Sequence, residues 1–286
     1  MSGRAVRFVH TSDIHLEQPL HGVSEIPEHL QTVFLDAPYL AAERVFDTAV
    51  EEMVDFVVIA GDLLGPRLAG PRGLDFVLKQ FRRLESAGIA VYWTAGKLDR
   101  FDLWPSAVPL PSNVRVFGDR HVEAVTHRRD NVPIANIQAC GTTDDHTFYV
   151  TDFDTHPELP TVAVMYGKTD TQAFAESEVD YWALGGIHAE TMVTTSGSIA
   201  QYAGSPQGRN PREESMHGCS LVEIDDRGHV HRQTVATDVI RWHTVTVEMP
   251  DQIDRAGLLR LLRDRTNQLL EAGAGRQIIV LSLIHI

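Results

Sequence analysis

The sequence predicts an α/β protein in which two mixed β-sheets are stacked and flanked by helices. Two observations support this prediction: strand runs alternate with helical stretches up to about residue 105, and short strand candidates then follow one another. Alternating strands and helices build a parallel sheet with right-handed crossovers, whereas consecutive strands joined by turns build a meander. A chain of 286 residues can hold one large domain, or one domain and part of another.

The first part of the chain contains three strand predictions and two helix predictions. Residues 6–10 and 55–62 read as strands, and the second is continuously apolar, as in a buried parallel sheet. Residues 41–54 carry apolar side chains at helical spacing. An amphipathic helix over residues 73–88 ends in a glycine, and residues 89–96 form the next strand candidate.

The middle of the chain is mainly β in its pattern. Eight short segments between residues 113 and 237 read as strands because Gly, Pro, Asn and Asp bound them. The pattern changes near residue 240, where an alternating strand, a strong amphipathic helix and an apolar strand run follow in turn.

These changes divide the chain into two predicted domains, residues 1–238 and residues 239–286. The last apolar run stops at residue 286, and an open apolar strand with no continuation would be a liability. We therefore expect a second domain that continues past this point, and we leave open whether the final LSLIHI is native sequence. The alternative is a short terminal strand that pairs with a neighbour.

Composition restricts the partners and the compartment. The formal charge of −14 gives no general attraction to phosphate backbones, and two modest basic clusters, residues 120–130 and 207–213, are expected to be solvated loops. Cys140 and Cys219 do not make a disulfide framework and suit a reducing compartment. With no signal peptide pattern and no apolar run of bilayer length, we expect a cytoplasmic protein without a membrane contact.

Four polar residues mark the ends of apolar strand runs. Asp13 and His15 lie in FVHTSDIHL, Asp62 in FVVIAGDLL and His188 in YWALGGIHAE. Alone, each signal is weak, since a lone histidine is more often a core or surface group. Together they lie where open α/β sheets bind their ligands. Two carboxylates and two imidazoles form a mixed oxygen and nitrogen site that suits Mn²⁺, Fe²⁺ or Zn²⁺.

The order D-x-H, GD, G-x-x-D, strand-then-G and G-x-x-H resembles the motif series of the calcineurin-like metallophosphoesterases. The segments HTSDIHLEQPLHG and YAGSPQGRN make the chain most similar to the SbcD/YhaO-type DNA repair exonucleases within that family. The resemblance implies a four-layer sandwich of two sheets and flanking helices, with residues 240–281 as the start of a small α/β capping domain. It also implies hydrolysis of phosphodiesters by two metal ions.

The residues of this chain match only part of that family pattern. By resemblance, Asp13, His15 and His188 correspond to ligands of the first metal, and Asp62 corresponds to the bridging aspartate. The chain therefore retains every first-metal position.

The positions that belong to the second metal differ. The family reads GNHD/E, H and GHxH where this chain has Gly96-Lys97-Leu98-Asp99, Tyr166 and Gly186. Lys97, Tyr166 and Gly186 thus replace ligands of the second metal, and Leu98 replaces the histidine that protonates the leaving group.

Two of these residues have expected roles of their own. We expect Lys97 to pair with Asp62 and to supply one positive charge where the second cation would be, or else to point to solvent. Asp99 survives from the family motif and is expected to cap the loop or to pair with Lys97 or Arg100.

The sequence therefore predicts a metallophosphoesterase with impaired or lost nuclease activity, and leaves open whether the chain is an enzyme. It predicts one divalent metal, Mn²⁺ before Fe²⁺ or Zn²⁺, and no second metal. The alternative is a non-catalytic metal-binding scaffold. The resemblance implies DNA as substrate and an SbcC-like coiled-coil ATPase as partner, and a homodimer is left open.

Overall fold

The computed structural model describes residues 5–118, 121–141, 149–168, 171–194, 197–248, 253–273 and 276–285. Two six-stranded mixed sheets form the centre of the described fold. The first sheet has the spatial order β12 (Val230–Ala236), β11 (Gly218–Ile224), β1 (Val6–Thr11), β2 (Phe56–Ala60), β3 (Ala90–Thr94) and β4 (Val114–Phe117). The second has the order β5 (Glu123–Arg129), β6 (Val132–Ala139), β7 (Thr161–Tyr166), β8 (Tyr181–Gly185), β10 (Ile199–Tyr202) and β9 (Thr191–Thr194).

Helices cover the outer face of each sheet. Helix α1 (Gln31–Glu51) and helix α2 (Pro66–Ser86) pack on the first sheet, and the short helix α3 (Thr171–Ala175) packs on the second. Aromatic and branched residues of both sheets fill the space between them, Phe8 and Tyr181 among them. This four-layer order confirms the predicted fold of two stacked mixed sheets flanked by helices.

Parallel pairing places the functional corners at one edge of the molecule. Strands β1, β2 and β3 are parallel, and so are β6, β7 and β8. Because the carboxyl ends of parallel strands lie at the same edge of a sheet, the loops that follow them meet over the two sheets.

The C-terminal segment forms a small unit of its own. Strands β13 (Ile240–Glu248) and β14 (Gln277–His285) are parallel, and helix α4 (Arg255–Ala272) connects them. Ile240 and Trp242 pack against Leu20 and Phe34, so the start of this unit is attached to the loop after β1 and to α1. The boundary predicted at residue 238 lies between β12 and β13, and the division into domains remains a prediction.

Most predicted elements appear in the structure, and the differences have physical causes. Helix α1 begins ten residues before the predicted start at residue 41, because Phe34 and Ala37 are buried against the C-terminal segment. The basic segment over residues 120–130 is not a solvated loop as expected, since most of it forms β5. None of the helices in the described ranges is long and apolar enough to cross a membrane.

Candidate metal centre

Three carboxyl-edge residues adopt a backbone conformation that side chains rarely accept. Asp13, His15 and Asp62 have φ values of 51°, 48° and 51°, in the left-handed region. The turn after β1 is attached to the turn after β2, because Asp13 N–H donates to Gly61 O and His15 N–H donates to Asp62 O, both at 3.0 Å. Such backbone strain clusters at functional sites.

Asp13, His15 and His188 come together at this edge. Their candidate ligand atoms all lie within 4.8 Å of one another. Asp13 Oδ1 is 3.9 Å from His15 Nε2 and 3.8 Å from His188 Nε2. Within the described part of the chain, Asp13 Oδ1 and His15 Nε2 are buried and have no hydrogen-bond partner.

These unpaired atoms fit a divalent cation. Buried polar atoms are rarely left without a partner, and burial alone raises the pKa of Asp13. A cation among one carboxylate oxygen and two imidazole nitrogens would satisfy all three groups. The donor set is mixed oxygen and nitrogen, as the sequence predicts, and it does not distinguish Mn²⁺ from Fe²⁺ or Zn²⁺.

Asp62 lies at the rim of this cluster and is already occupied by protein donors. Its Oδ2 is 3.6 Å from His15 Nε2 and accepts a 2.6 Å hydrogen bond from the Tyr166 hydroxyl. Its Oδ1 accepts the Leu98 N–H at 2.8 Å. Burial and the Asp62 carboxylate raise the pKa of Tyr166 well above its usual range, so the phenol stays protonated and donates.

The expected pair between Lys97 and Asp62 is wrong. Lys97 is exposed, and its ammonium makes no ion pair with Asp62. The physical reason is local: Tyr166 and Leu98 already donate to the two Asp62 oxygens, so this carboxylate has protein donors without the lysine.

Gly186 occupies the corner after β8 with a backbone that favours glycine. Its φ is +100°, and its N–H donates to Asp13 Oδ2 at 2.9 Å. A Cβ at this position would lie 3.1 Å from the backbone nitrogen of Gly167. Gly186 therefore supports Asp13 through its backbone N–H.

Asp99 is buried and caps the loop. Of the roles expected from the sequence, the structure shows this one: Asp99 accepts the backbone N–H groups of Asp62, Leu63 and Gly96, and the Trp93 indole N–H. Arg100 donates to Asp102 Oδ1 at 3.2 Å. Burial and the nearby Asp62 carboxylate raise the pKa of Asp99 to about 6, against the effect of these donors.

Two carboxylates that brace the histidines were missed from the sequence. Glu17 Oε1 lies 3.2 Å from His15 Nδ1, and its Oε2 accepts the Gly65 N–H at 2.8 Å. Burial would raise the pKa of Glu17, but these hydrogen bonds outweigh burial and lower it. A carboxylate on Nδ1 leaves the Nε2 lone pair facing the cluster. The spacing His-x-Glu, in HLE, was the available signal.

Glu213 plays the same part for His188. Glu213 Oε1 lies 3.0 Å from His188 Nδ1, and its Oε2 accepts the Arg209 N–H at 2.8 Å. The His188 bond and the Arg209 charge outweigh burial and hold the pKa of Glu213 at about 2. Arg209 Nη2 is also 2.9 Å from His188 Nδ1. A cation needs the Nε2 lone pair, which selects the tautomer that donates Nδ1–H to Glu213.

The segment over residues 207–213 is therefore not the solvated loop that composition suggests. Arg209 is 2% exposed, and Gln207 is also buried. Composition alone cannot reveal this, because a basic segment can be buried when charged and polar partners surround it.

The fold and the geometry agree with the results of comparison with known proteins. The family model described as "Calcineurin-like phosphoesterase" matches residues 6–190. The chain belongs to this family. The resemblance inferred from the motif order is thereby confirmed at the level of the family.

Relatives of this metallophosphoesterase chain include bacterial and archaeal proteins. It is 27% identical to the "Uncharacterized metallophosphoesterase YhaO" of Bacillus subtilis over 282 residues, which cover 93% of this chain and 69% of YhaO. It is 30% identical to the "DNA double-strand break repair protein Mre11" of Haloferax volcanii, with coverage of 87% of this chain and 56% of Mre11. Thus the chain spans little more than half of that archaeal relative.

A solved structure with a similar arrangement is a dimetal phosphatase from Danio rerio. The TM-score is 0.48 at 11% identity, with 80% of this chain and 98% of that chain covered.

Proposed function

We propose that this calcineurin-like phosphoesterase holds one divalent cation and has impaired or lost phosphodiester hydrolysis. The observation that carries this proposal is the state of Asp62, whose two carboxylate oxygens accept hydrogen bonds from Tyr166 and Leu98. Protein donors thus engage the carboxylate that would bridge two metals. The Asp13, His15 and His188 cluster remains for a single cation. Bound there, the cation would supply Lewis-acid activation of a phosphoryl oxygen or a water.

The missing proton donor supports reduced turnover. General acid catalysis contributes roughly 10²–10⁴ in rate. Leu98 stands at the family's acid position and cannot transfer a proton. Loss of the second cation removes several kcal/mol more of transition-state stabilisation, by order of magnitude.

The proposal is tested first by counting metal. The chelated protein is reconstituted with Mn²⁺, and bound metal per chain is measured by mass spectrometry after buffer exchange. We expect one equivalent, because one cluster of unpaired ligand atoms is found in the described residues. Two tightly bound equivalents would contradict the proposal.

Reversion tests the hydrolysis. Hydrolysis of bis-p-nitrophenyl phosphate and of linear DNA is compared between the wild type and the quadruple variant Lys97→Asn, Leu98→His, Tyr166→His and Gly186→His. The variant restores the family residues, so we expect a gain of roughly 10²–10⁴ in rate. A wild type as active as this variant, on either substrate, would overturn the impaired-site proposal.

A second candidate function is a non-catalytic scaffold. The full set of first-metal residues together with Leu98 at the acid position favours it, because a cation can organise the loops without any turnover. In this version the partner is a coiled-coil ATPase, and two buried free cysteines agree with a cytoplasmic location. Two measurements on the wild-type protein distinguish the scaffold from a slow enzyme. A scaffold binds the ATPase and hydrolyses neither substrate at any Mn²⁺ concentration.

A further inference from the structure

The distribution of lysine is unusual in this chain. Only three of its 25 basic residues are lysines, Lys79, Lys97 and Lys168. Two of the three, Lys97 and Lys168, lie in the loops that follow β3 and β7. The remaining one, Lys79, is on α2 and pairs with Asp75 at 2.7 Å.

Lys97 and Lys168 each lie close in the chain to a residue that donates to Asp62, one to Oδ1 and the other to Oδ2. Lys97 immediately precedes Leu98, whose N–H donates to Asp62 Oδ1 at 2.8 Å. Lys168 follows Tyr166 by two residues, and the Tyr166 hydroxyl donates to Asp62 Oδ2 at 2.6 Å. The two lysines thus belong to loops from different sheets, since β3 is in the first sheet and β7 in the second.

The two loops converge tightly at this point. A Cβ at Gly61 would meet both the Tyr166 ring and Gly96 Cα, the latter at 2.9 Å. The Gly167 N–H donates to Gly185 O at 2.9 Å, and its carbonyl accepts the Tyr202 hydroxyl at 3.0 Å. Lys97 and Lys168 therefore extend from anchored backbone at the rim of the cluster.

Both side chains are exposed, and neither forms an ion pair with a carboxylate of the described residues. The carboxylate next to both loops is Asp62, which accepts hydrogen bonds from Leu98 and Tyr166, and Asp13 belongs to the neighbouring cluster. A phosphoryl group that approaches a single dication at these carboxylates carries negative charge of its own. Ammonium groups at the rim would offset that charge and donate to its oxygens.

We propose that Lys97 and Lys168 form a binding site for a phosphoryl oxyanion beside the candidate metal centre. The site deepens the proposed function and rests on it, because it names the substrate chemistry of the same cleft. The ligand class is a phosphate monoester or phosphodiester oxygen pair. The lysines act as substrate-binding groups in place of the second cation.

The three lysines permit a direct test on the wild-type protein. The Mn²⁺-loaded chain is acylated with trace acetic anhydride, and the modification rate of each lysine is read by peptide mass spectrometry. Parallel samples contain inorganic phosphate, a short single-stranded oligonucleotide, or chloride at matched ionic strength. We expect Lys97 and Lys168 to react about 10-fold more slowly with an oxyanion ligand than with chloride. Lys79 serves as the internal control and should react equally in all samples.

The samples also separate the sources of the oxyanion. Slower acylation with phosphate alone indicates a phosphomonoester-sized ligand, and slower acylation with the oligonucleotide indicates a phosphodiester. Either result supports the site. Unchanged rates at both lysines, or an equal decrease at Lys79, would overturn it.

Substitution gives a second, independent measurement. The double variant Lys97→Gln and Lys168→Gln should raise the Kd of the oxyanion that slows acylation in the wild type by about 10-fold for each lysine removed. The control variant Lys79→Gln should leave that Kd unchanged. Unchanged affinity in the double variant would contradict the proposal. A chain that binds one Mn²⁺ without lysine protection refutes this site alone. Protection in a chain that binds no Mn²⁺ refutes the proposed single-metal function alone.

Discussion

The two halves of the candidate site, the Asp13, His15 and His188 cluster and the surroundings of Asp62, differ in how their polar atoms are satisfied. Around Asp13, His15 and His188, ligand atoms are buried and brought within 4.8 Å, and two of them have no hydrogen-bond partner in the described ranges. Around Asp62, both carboxylate oxygens accept protein donors. The first half fits a cation, and the second half is satisfied by the protein itself.

The bracing groups show the same contrast. Glu17 and Glu213 contact the Nδ1 atoms of the two histidines in the first half and direct Nε2 toward the cluster. In the second half, the Tyr166 hydroxyl and the Leu98 backbone N–H donate to the Asp62 carboxylate. The difference shows that protein donors alone can satisfy the buried Asp62 carboxylate.

The largest effect is expected from the first half itself. Asp13→Asn should reduce Mn²⁺ binding below detection, because Asp13 is the one carboxylate of the three-residue cluster. Asp62→Asn should retain measurable binding, since Tyr166 and Leu98 already engage Asp62. Isothermal titration calorimetry with Mn²⁺ measures both variants. Equal losses in the two variants would remove the distinction between the halves.

The bracing carboxylates should have the next largest effect. Glu17→Gln and Glu213→Gln each should weaken Mn²⁺ binding by about 10–100-fold, because the outer partner fixes the tautomer and basicity of a ligating histidine. Calorimetry gives the affinity, and the visible absorption spectrum of the Co²⁺-loaded protein reports the altered ligand environment. Glu51→Gln, an exposed position on α1, is the matched control. An unchanged Co²⁺ spectrum together with an unchanged affinity would show that the carboxylates do not position the histidines.

Restoring the second half should cost stability at one position in particular. Gly186→Ala should lower the free energy of unfolding by about 1–3 kcal/mol, because φ is +100° and the Cβ would crowd Gly167. Gly197→Ala is the control: its φ is also positive, at 72°, but no atom lies within 4 Å of its Cβ position. Chemical denaturation measures both. If Gly197→Ala costs as much as Gly186→Ala, the crowding at Gly186 has no energetic consequence.

The smallest expected effect concerns the hydrogen bond from the Tyr166 hydroxyl to Asp62. Tyr166→Phe removes a 2.6 Å hydrogen bond to Asp62 and should lower the free energy of unfolding by about 1 kcal/mol. The metal count should remain at one, because the change adds no ligand. Tyr39→Phe is the control, since the Tyr39 hydroxyl makes no hydrogen bond to the described residues. A second equivalent of Mn²⁺ bound by Tyr166→Phe would show that the tyrosine alone excludes the second cation.

The sequence by itself determined the layers of the fold and the corners of the site. Alternating patterns locate strands because side chains on a strand alternate in direction, and parallel strands place their carboxyl ends together. Asp13, His15 and His188 could therefore be selected before any coordinates, and all three meet in the structure. The His-x-Glu spacing of Glu17 was also local and was simply not used.

Only the tertiary structure decided which donor pairs with which acceptor in the site. The Tyr166 hydroxyl is 104 residues from Asp62 in the chain, and Glu213 is 25 residues from His188. Periodicity in a sequence reports the direction of a side chain relative to its own element, whereas such pairs depend on how separate loops meet. For the same reason the sequence left open whether Lys97 pairs with Asp62 or points to solvent. In the structure the Tyr166 hydroxyl and the Leu98 N–H donate to that carboxylate, and Lys97 is exposed.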